Sequence, residues 1–299
     1  MTISAIKKLL NDYGIKPSKG KGQNFLIDDK VLQQIVKAAD LSPKDFVVEV
    51  GPGFGILTEQ LVKNCHKVLS VELDKNLAFF LKKKFSARGG SAFGGRNQPN
   101  LEILEADILK IKNQELADRL GSANYKIVAN IPYAITKPII QKFLTFAPRP
   151  TEMTILIQKE VAGKITAQAG DMSILAISVQ FYGQPQIVNF VSKESFYPVP
   201  KVDSAILKIK VNQGIVPTQI SQVLSPKELA SFQERKFWQL VKIGFSSPRK
   251  QLQNNLANGL KIDNFEVKKG LAKAGQKELC RAQDLTLADW ARLYQQFMV

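Results

Sequence analysis

The chain has 299 residues, and hydrophobic residues make up 44% of them, which is typical of a folded globular protein and excludes an extensively disordered chain. Its 42 lysine and arginine residues outnumber its 26 aspartate and glutamate residues, so the formal net charge is +16. A surplus of this size favours a polyanionic partner such as a nucleic acid over a surface that is basic only for solubility.

The sequence indicates neither a membrane segment nor a metal site. The longest apolar runs, such as residues 155–157 and 174–177, are far shorter than the roughly 18 to 20 residues of a spanning helix, and the N-terminus has no apolar signal core. Cys65 and Cys280 form no CxxC pair, and His66 is the only histidine. We therefore expect a cytoplasmic protein with no membrane contact and no metal ion, and a monomer is expected.

The first half of the chain alternates short β-rich runs with helical stretches, which is typical of parallel βαβ units in an α/β fold. The predicted strands are residues 46–50, 67–72, 101–104, 126–129 and 153–157. The predicted helices between them include residues 56–64, 74–85 and 137–146. Two further β-rich runs, 186–191 and 205–210, are predicted to close the sheet as an antiparallel edge pair.

Two segments lack this alternation. Residues 86–100 are rich in glycine and polar side chains, which predicts a surface insertion. After Val211, turn-forming residues come first and helical patterns then continue to the end of the chain. The sequence therefore predicts a larger domain of residues 1–211 and a small helical domain of residues 212–299.

A glycine-rich turn follows the first predicted strand. Gly51, Gly53 and Gly55 form a GxGxG pattern that leads directly into the helix 56–64, which is where a doubly wound sheet binds a nucleotide-like ligand. Glycines there allow the backbone to approach the ligand closely. Ile56 stands where a dinucleotide fingerprint has its third glycine, so a cofactor with a pyrophosphate is disfavoured.

Carboxylates follow the next two strands. Glu72 ends the second strand, where an acidic side chain can accept both hydroxyls of a ribose. Asp107 follows the third strand and can accept from an adenine amino group, while Ile108 can pack on the ring. Each acid alone could be a solvated strand end. In register behind successive strands, they predict an adenosine pocket that suits S-adenosylmethionine better than NAD.

The fourth predicted strand is followed by Asn130, Ile131, Pro132 and Tyr133. An exocyclic adenine amine is a poor nucleophile because its lone pair is delocalised into the ring. The Asn130 side-chain oxygen and the Ile131 carbonyl can accept its two N–H groups and aim the nitrogen at a methyl sulfonium. Pro132 fixes the turn and Tyr133 offers a stacking face. An ordinary turn that ends a strand is the alternative interpretation.

A second aromatic segment precedes the last predicted strand. Phe196 stands before Tyr197 and Pro198, and we predict that its ring forms the other wall of a slot for a flipped base. A proline-rich turn into an edge strand is the alternative. The candidate catalytic residues are therefore Asn130, Tyr133 and Phe196.

These residues resemble the ordered motifs of the ribosomal RNA adenine dimethyltransferases. The matching segments are QNFL (23–26), EVGPGFG (49–55), VE (71–72), EAD (105–107), NIPY (130–133), FYPVPKVDSA (196–205), FSSPRKQLQNNL (245–256) and RAQDL (281–285). They cover nearly the whole chain in the family's order. One departure is Pro248, because the family commonly has paired arginines before the lysine of the tail signature.

The resemblance implies a Rossmann-like class I methyltransferase sheet with a small C-terminal helical domain. It implies that two adjacent adenines in a hairpin loop of small-subunit (16S) ribosomal RNA each receive two methyl groups during ribosome assembly, with the immature small subunit as partner. It also implies that Asn24 and Leu26 lie over S-adenosylmethionine. The other implied cofactor-binding residues are Gly51, Glu72, Asp107 and Asn130. The helical tail would grip RNA, which makes Arg249 and Lys250 candidates for phosphate contacts.

Three other functions stay open from the sequence. They are the dimethylation of large-subunit RNA that confers antibiotic resistance, a non-catalytic role in ribosome assembly on the same fold, and the methylation of a glutamine amide in a protein. Pro52 and Asp203 are more similar to the small-subunit group. The intact Asn130 and Tyr133 count against a non-catalytic factor, and the net charge favours a nucleic acid over a protein substrate.

Overall fold

A computed structural model describes residues 2–15, 23–86, 98–214 and 216–298. The chain divides into two compact units, of which the first comprises Met1–Ala162 and Pro185–Gln213. The second comprises Gly163–Gln184 and Gly214–Val299. None of the helices in the described ranges has both the length and the apolar character that crossing a membrane requires. Most of the predicted insertion, residues 87–97, lies outside the described residues.

The strands form one large sheet and one small one. They are β1 (Phe25–Leu26), β2 (Phe46–Val50), β3 (Lys67–Glu72), β4 (Leu101–Glu105), β5 (Lys126–Asn130), β6 (Glu152–Gln158), β7 (Gly183–Val191), β8 (Phe196–Tyr197) and β9 (Ser204–Val211). The large sheet has the order β4-β3-β2-β5-β6-β9-β7, and β1 pairs with β8. From β4 to β6 the neighbours are parallel, whereas β9 is antiparallel to β6. The predicted strands are confirmed, and the runs 186–191 and 205–210 do lie at one edge.

Seven helices begin within the described residues of the first unit. They are α1 (Ile3–Asp12), α2 (Asp29–Ala39), α3 (Ile56–Asn64), α4 (Lys75–Phe85), α5 (Asn113–Leu120), α6 (Thr136–Thr145) and α7 (Lys159–Ile165). The side chain of Asp74 caps α4 by accepting from the N–H groups of Asn76 and Leu77. The helix therefore begins one residue later than predicted, because an N-cap residue lies outside the helical turn.

Two apolar clusters hold this unit together. In the first, α2 and α3 contribute Ile35 and Leu61, which pack with buried strand residues such as Val47 and Val128. The central strand β2 is an almost continuous hydrophobic run, as expected for a parallel strand that is covered on both faces. In the second cluster, α1 and α4 contribute Ile6, Leu10, Leu77, Phe80 and Leu81, which pack with Phe25 and Phe54.

The second unit is helical. Its helices are α8 (Ile174–Tyr182), α9 (Thr218–Ser221), α10 (Pro226–Ala230), α11 (Glu234–Gly244), α12 (Leu252–Leu260), α13 (Asn264–Lys273) and α14 (Leu287–Phe297). Their core includes the fully buried Phe237, Leu256 and Trp290. Gly244 is required by close packing, because a Cβ atom there would lie 2.3 Å from Cη2 of Trp290. Helices follow Val211 as predicted, but the assignment of separate roles to residues 1–211 and 212–299 stays a prediction.

Candidate active site

The glycine turn between β2 and α3 presents bare backbone to a cleft. Gly51, Gly53 and Gly55 all have positive φ angles, of 66°, 59° and 75°. A Cβ atom on Gly53 would lie 3.1 Å from Cδ1 of Phe25, and one on Gly55 would lie 2.8 Å from Cδ2 of Leu81. The turn therefore needs glycine both for its conformation and for its close neighbours.

Glu72 is fixed beside this turn at the end of β3. Its side chain is 5% exposed. One carboxylate oxygen accepts from the Gly53 N–H at 3.3 Å, and the other accepts from the Asp74 N–H at 2.9 Å. Burial raises the pKa of Glu72, which the two backbone donors partly oppose. The carboxylate is thus oriented by the backbone of the cleft it lines.

Two adjoining cavities bring together the residues that the sequence predicted for the cofactor. The first encloses about 810 Å³, including open solvent at its mouth, and its lining includes Asn24, Leu26, Gly51, Glu72 and Asn130. The second encloses about 770 Å³, also partly open, and its lining includes Asp107 and Ile108. The cavities share Gln23, Gly51, Glu72 and Pro132, so Glu72 lies between the two.

Asn24 and Leu26 reach the cleft through the small sheet. Phe25 pairs with Tyr197, and Leu26 pairs with Phe196. The Ile27 N–H donates to the Ser195 carbonyl at 2.9 Å and continues this pairing. The strand β1 is thereby held in place by a segment that follows it by about 170 residues in the chain. No local pattern in the sequence predicts such a contact.

Asn130 lies at the end of β5 and is oriented by the N-terminal segment. Its Nδ2 atom donates to the Asn24 carbonyl at 3.2 Å. This contact leaves the other end of the amide, Oδ1, as an acceptor. Ile131 and Pro132 also line the first cavity. The structure therefore combines an amide acceptor with the glycine turn in one cleft.

Tyr133 lines the same cavity and begins a short 3₁₀ turn, Tyr133–Ile135. Its hydroxyl forms a hydrogen bond of 2.6 Å with the hydroxyl of Ser204, the first residue of β9. Burial raises the pKa of Tyr133. The phenol thus stays neutral, and its hydrogen bond to Ser204 holds the ring in one orientation. No role for Ser204 follows from the sequence beyond its place in a matching motif.

Phe196, the third candidate catalytic residue, lies in the apolar core beside the small sheet. Its side chain is 1% exposed and packs in the apolar core with residues such as Leu26 and Ile206. It is absent from the described residues that line either cavity, whereas Phe25, Phe54 and Tyr133 are present. The predicted role of Phe196 as one wall of a slot for a base stays a prediction.

Glu49 is a cleft residue to which the sequence assigned no role. It is 1% exposed within β2. One oxygen accepts from the Thr58 hydroxyl at 2.7 Å and the Ser70 hydroxyl at 2.6 Å, while Oε1 has no hydrogen-bond partner among the described residues. Burial raises the pKa of Glu49 to about 7, although both hydroxyl donors oppose this. A charged residue inside an otherwise apolar strand is the signal that could have identified it.

The two basic candidates of the tail lie in the second unit. Arg249 and Lys250 are both exposed and come just before α12. The Lys250 N–H donates to the Ser247 carbonyl at 3.0 Å, which closes the turn that contains Pro248. Within the described ranges, the chain has no cluster of histidine, cysteine, aspartate or glutamate residues that could hold a metal ion.

Comparison with known sequences gives one consistent family. The family model for "Ribosomal RNA adenine dimethylase" matches residues 16–297. A protein called "Ribosomal RNA small subunit methyltransferase A" from Dehalococcoides mccartyi is 40% identical over 287 residues, which cover 96% of this chain and 90% of that protein. A protein of the same name from Alkaliphilus oremlandii is 35% identical over 291 residues, which cover 96% and 94% of the two chains.

Solved structures agree with this result. The crystal structure of the 23S rRNA methyltransferase ErmE is similar with a TM-score of 0.69 and 28% identity, and the match covers 92% of this chain and 99% of that one. A dimethyladenosine transferase from Plasmodium falciparum is similar with a TM-score of 0.68 and 25% identity, covering 91% and 97% of the two chains. The predicted methyltransferase sheet with a helical C-terminal region is therefore confirmed.

Proposed function

This chain belongs to the ribosomal RNA adenine dimethylase family, and from this premise we propose that it dimethylates the N6 amines of two adjacent adenines in a hairpin loop of small-subunit ribosomal RNA during ribosome assembly. The observation that carries the proposal is the Asn130 amide, which the Asn24 carbonyl holds at 3.2 Å in the cleft that Gly51 and Glu72 also line. The small-subunit target is supported by the names of the relatives that are 35% to 40% identical.

The two cavities fit S-adenosylmethionine as the methyl donor. Glu72 would accept the ribose hydroxyls and Asp107 the adenine amine, while the bare backbone at Gly51 allows close approach. The Oε1 atom of Glu49, which has no hydrogen-bond partner in the part of the chain that the structure describes, suits a cationic ligand. Among the described residues that line the two cavities there is no lysine or arginine, as expected for a ligand without phosphate groups.

The chemistry needs positioning more than it needs a base. S-adenosylmethionine would supply a methyl group on a positively charged sulfur. As the amine nitrogen bonds to the methyl carbon, the carbon–sulfur bond would break and the sulfur would leave as a neutral thioether. Asn130 Oδ1 and the Ile131 carbonyl would accept the two N–H groups of the adenine amine, so that the nitrogen lone pair points at the methyl carbon. Tyr133 would stack on the base. The nitrogen then loses a proton to water, so no histidine is required.

The remaining expectations form part of the same proposal. Residues 1–211 would bind the cofactor and residues 212–299 would hold RNA, with Arg249 and Lys250 on phosphate groups. A monomer without a metal ion is part of the same proposal, and all the proposed cofactor residues lie in the first unit. The cytoplasm is the proposed location, because the substrate is an immature ribosomal subunit.

A methylation assay tests the proposal. Purified protein would be incubated with labelled S-adenosylmethionine and with immature small or large subunits, and the modified adenines would be mapped by mass spectrometry. We expect dimethylation of two adjacent adenines in small-subunit RNA. Label only in the large subunit would instead support the activity of the resistance enzymes, and activity that is insensitive to salt would favour a protein substrate.

The Asn130→Ala variant separates catalysis from binding. We expect it to abolish methyl transfer while RNA affinity stays within a few fold, because phosphate contacts dominate the affinity. A variant with unchanged turnover would refute the role of Asn130. A wild-type protein that binds immature small subunits without methylating them would support a non-catalytic assembly factor.

A further inference from the structure

A second surface lies next to the cleft and has no role in the function proposed above. It is an open depression whose lining includes Lys159, Lys193 and Lys201, together with Glu160, Val202 and Asp203. The ring of Phe190 stands beside it, 55% exposed, with the ammonium nitrogen of Lys159 5.0 Å from the ring centroid. We call Lys159, Phe190, Lys193 and Lys201 the Phe190 patch.

Asp203 connects two of the segments that carry the patch. Its side-chain Oδ1 accepts from the Lys193 N–H at 3.2 Å, and its backbone carbonyl accepts from the Lys159 N–H at 3.0 Å. These two contacts join the end of β6, the turn after β7 and the loop before β9. The backbone positions of Lys159 and Lys193 are therefore fixed relative to one another. Lys159 and Lys201 are exposed, and Lys193 is half-buried.

The patch is linked to the acceptor end of the cleft through neighbouring residues. Asp203 is followed directly by Ser204, whose hydroxyl is bonded to Tyr133. Lys159 is the residue after Gln158, which pairs with Ser204 across β6 and β9. A polymer whose reacting base contacts Tyr133 would thus extend over the patch within a short distance.

The chemistry of the patch suits single-stranded RNA. None of its three ammonium groups pairs with a carboxylate within the part of the chain that the structure describes. An exposed aromatic ring offers a face on which a base can stack, and neighbouring lysines neutralise phosphates on either side. Base-paired RNA would not stack on such a ring, because its bases are stacked on each other.

We propose that the Phe190 patch binds the single-stranded nucleotides that flank the methylated adenine, with one base stacked on Phe190 and the phosphates held by Lys159, Lys193 and Lys201. This inference rests on the proposed function, since it concerns the same RNA. It adds an RNA contact in the first unit to the one expected from Arg249 and Lys250 in the second.

The test measures the binding of the full-length protein to a labelled RNA hairpin that has two adjacent adenines in its loop. Phe190→Ala should weaken binding about tenfold, as for the loss of one stacked base. Replacing Lys159, Lys193 and Lys201 together by glutamine should lower the slope of log affinity against log salt by about 2, since each single-strand phosphate contact contributes about 0.7. Cofactor affinity should not change in either variant.

Two matched controls lie at the other end of the sheet. Phe146 is 62% exposed and follows α6, which runs back from the cleft, so Phe146→Ala removes an exposed ring away from the patch. Lys210 lies opposite Glu152 in the register of β6 and β9, at the end of β6 that is distant from Ser204, so Lys210→Gln removes one distant charge. Neither control should change RNA affinity by more than about twofold.

A crosslink locates the contact directly. With 4-thiouridine beside the adenines, irradiation should attach the RNA to a peptide that contains Phe190 or Lys193. If Phe190→Ala binds RNA as tightly as Phe146→Ala does while the wild type methylates it, the patch proposal is wrong and the proposed function stands. If the wild type neither binds nor methylates small-subunit RNA, both fail. RNA affinity that depends on Phe190 but not on salt or on the three lysines would show that the patch holds no phosphate groups, and it would overturn the proposal.

Discussion

The hydroxyl oxygens of Tyr133 and Ser204 lie 2.6 Å apart, which joins the turn after β5 to the first residue of β9. Ser204 is fully buried and Tyr133 is half-buried, so this hydrogen bond is partly shielded from water. It leaves the tyrosine ring one stable orientation at the mouth of the cleft. Ser204 is therefore a positioning residue for the ring on which the adenine would stack.

Removing this bond should slow methyl transfer without weakening cofactor binding. A neutral hydrogen bond contributes about 1 kcal/mol, so we expect Ser204→Ala to lower kcat/KM for RNA about fivefold. Tyr133→Phe removes the same bond and keeps the ring. If the bond acts as described, the double variant should be no slower than either single variant, whereas multiplied losses would show independent roles.

Glu72 should be needed for cofactor affinity. Its carboxylate accepts from two backbone N–H groups and would also accept the ribose hydroxyls. Hydrogen bonds to a charged group contribute about 1.5 to 3 kcal/mol, so Glu72→Gln should weaken cofactor binding by about tenfold to a hundredfold in calorimetry. Glu105→Gln is the matched control, because Glu105 is exposed and is paired with Glu72 in the sheet. Equal losses in the two variants would contradict a specific role for Glu72.

Most of the sheet could be predicted because buried parallel strands are short apolar runs that turns and helices separate. The same regularity placed Glu72, Asp107 and Asn130 at one edge, since the carboxyl ends of parallel strands meet there. The helices α2 and α5 were not predicted, and neither was the grouping of Gly163–Gln184 with the C-terminal helices. That grouping depends on contacts between distant segments, which local patterns do not encode.

The placement of Phe196 shows where sequence patterns stop being informative. Phe196 and Tyr197 are neighbours in β8, so their side chains point to opposite faces. A strand of two residues has no alternation from which the buried face could be chosen. The pairing of Leu26 with Phe196 determines which face of β8 is buried, and that pairing spans most of the first unit. Asn24 could likewise be placed over the cleft only by resemblance, because its contact with Asn130 is long-range.

Glu49 should make the stability of the free protein depend on pH. Burial raises its pKa from 4.5 to about 7, so the folded state keeps a proton that the unfolded chain has lost in this range. The carboxyl is protonated in both states below pH 4.5. As the pH rises to about 7, the free energy of unfolding should fall by about 3 kcal/mol, at 1.36 kcal/mol for each pH unit.

The comparison for this prediction is Glu49→Gln, which cannot ionise. Urea unfolding of both proteins from pH 4.5 to 8 should show the wild type losing stability relative to the variant up to about pH 7, with a constant difference above it. Parallel curves for the two proteins would contradict a raised pKa. A cationic ligand near Glu49 favours the ionised form, so cofactor affinity should rise with pH through about 7 in the wild type only.

Gly53 should be required for its close approach to Phe25 as well as for its backbone conformation. Its φ angle is 59°, and a Cβ atom would lie 3.1 Å from the Phe25 ring, which lines the cofactor cleft. Gly121 is the matched control, since its φ angle is 79° but nothing lies within 4 Å of a Cβ atom there. Alanine at either position should cost about 1 to 2 kcal/mol of stability, because both adopt the left-handed conformation. Only Gly53→Ala should also weaken cofactor binding, by displacing β1 from the glycine turn. Equal cofactor affinities of the two variants in calorimetry would mean that the contact with Phe25 does not shape the cleft.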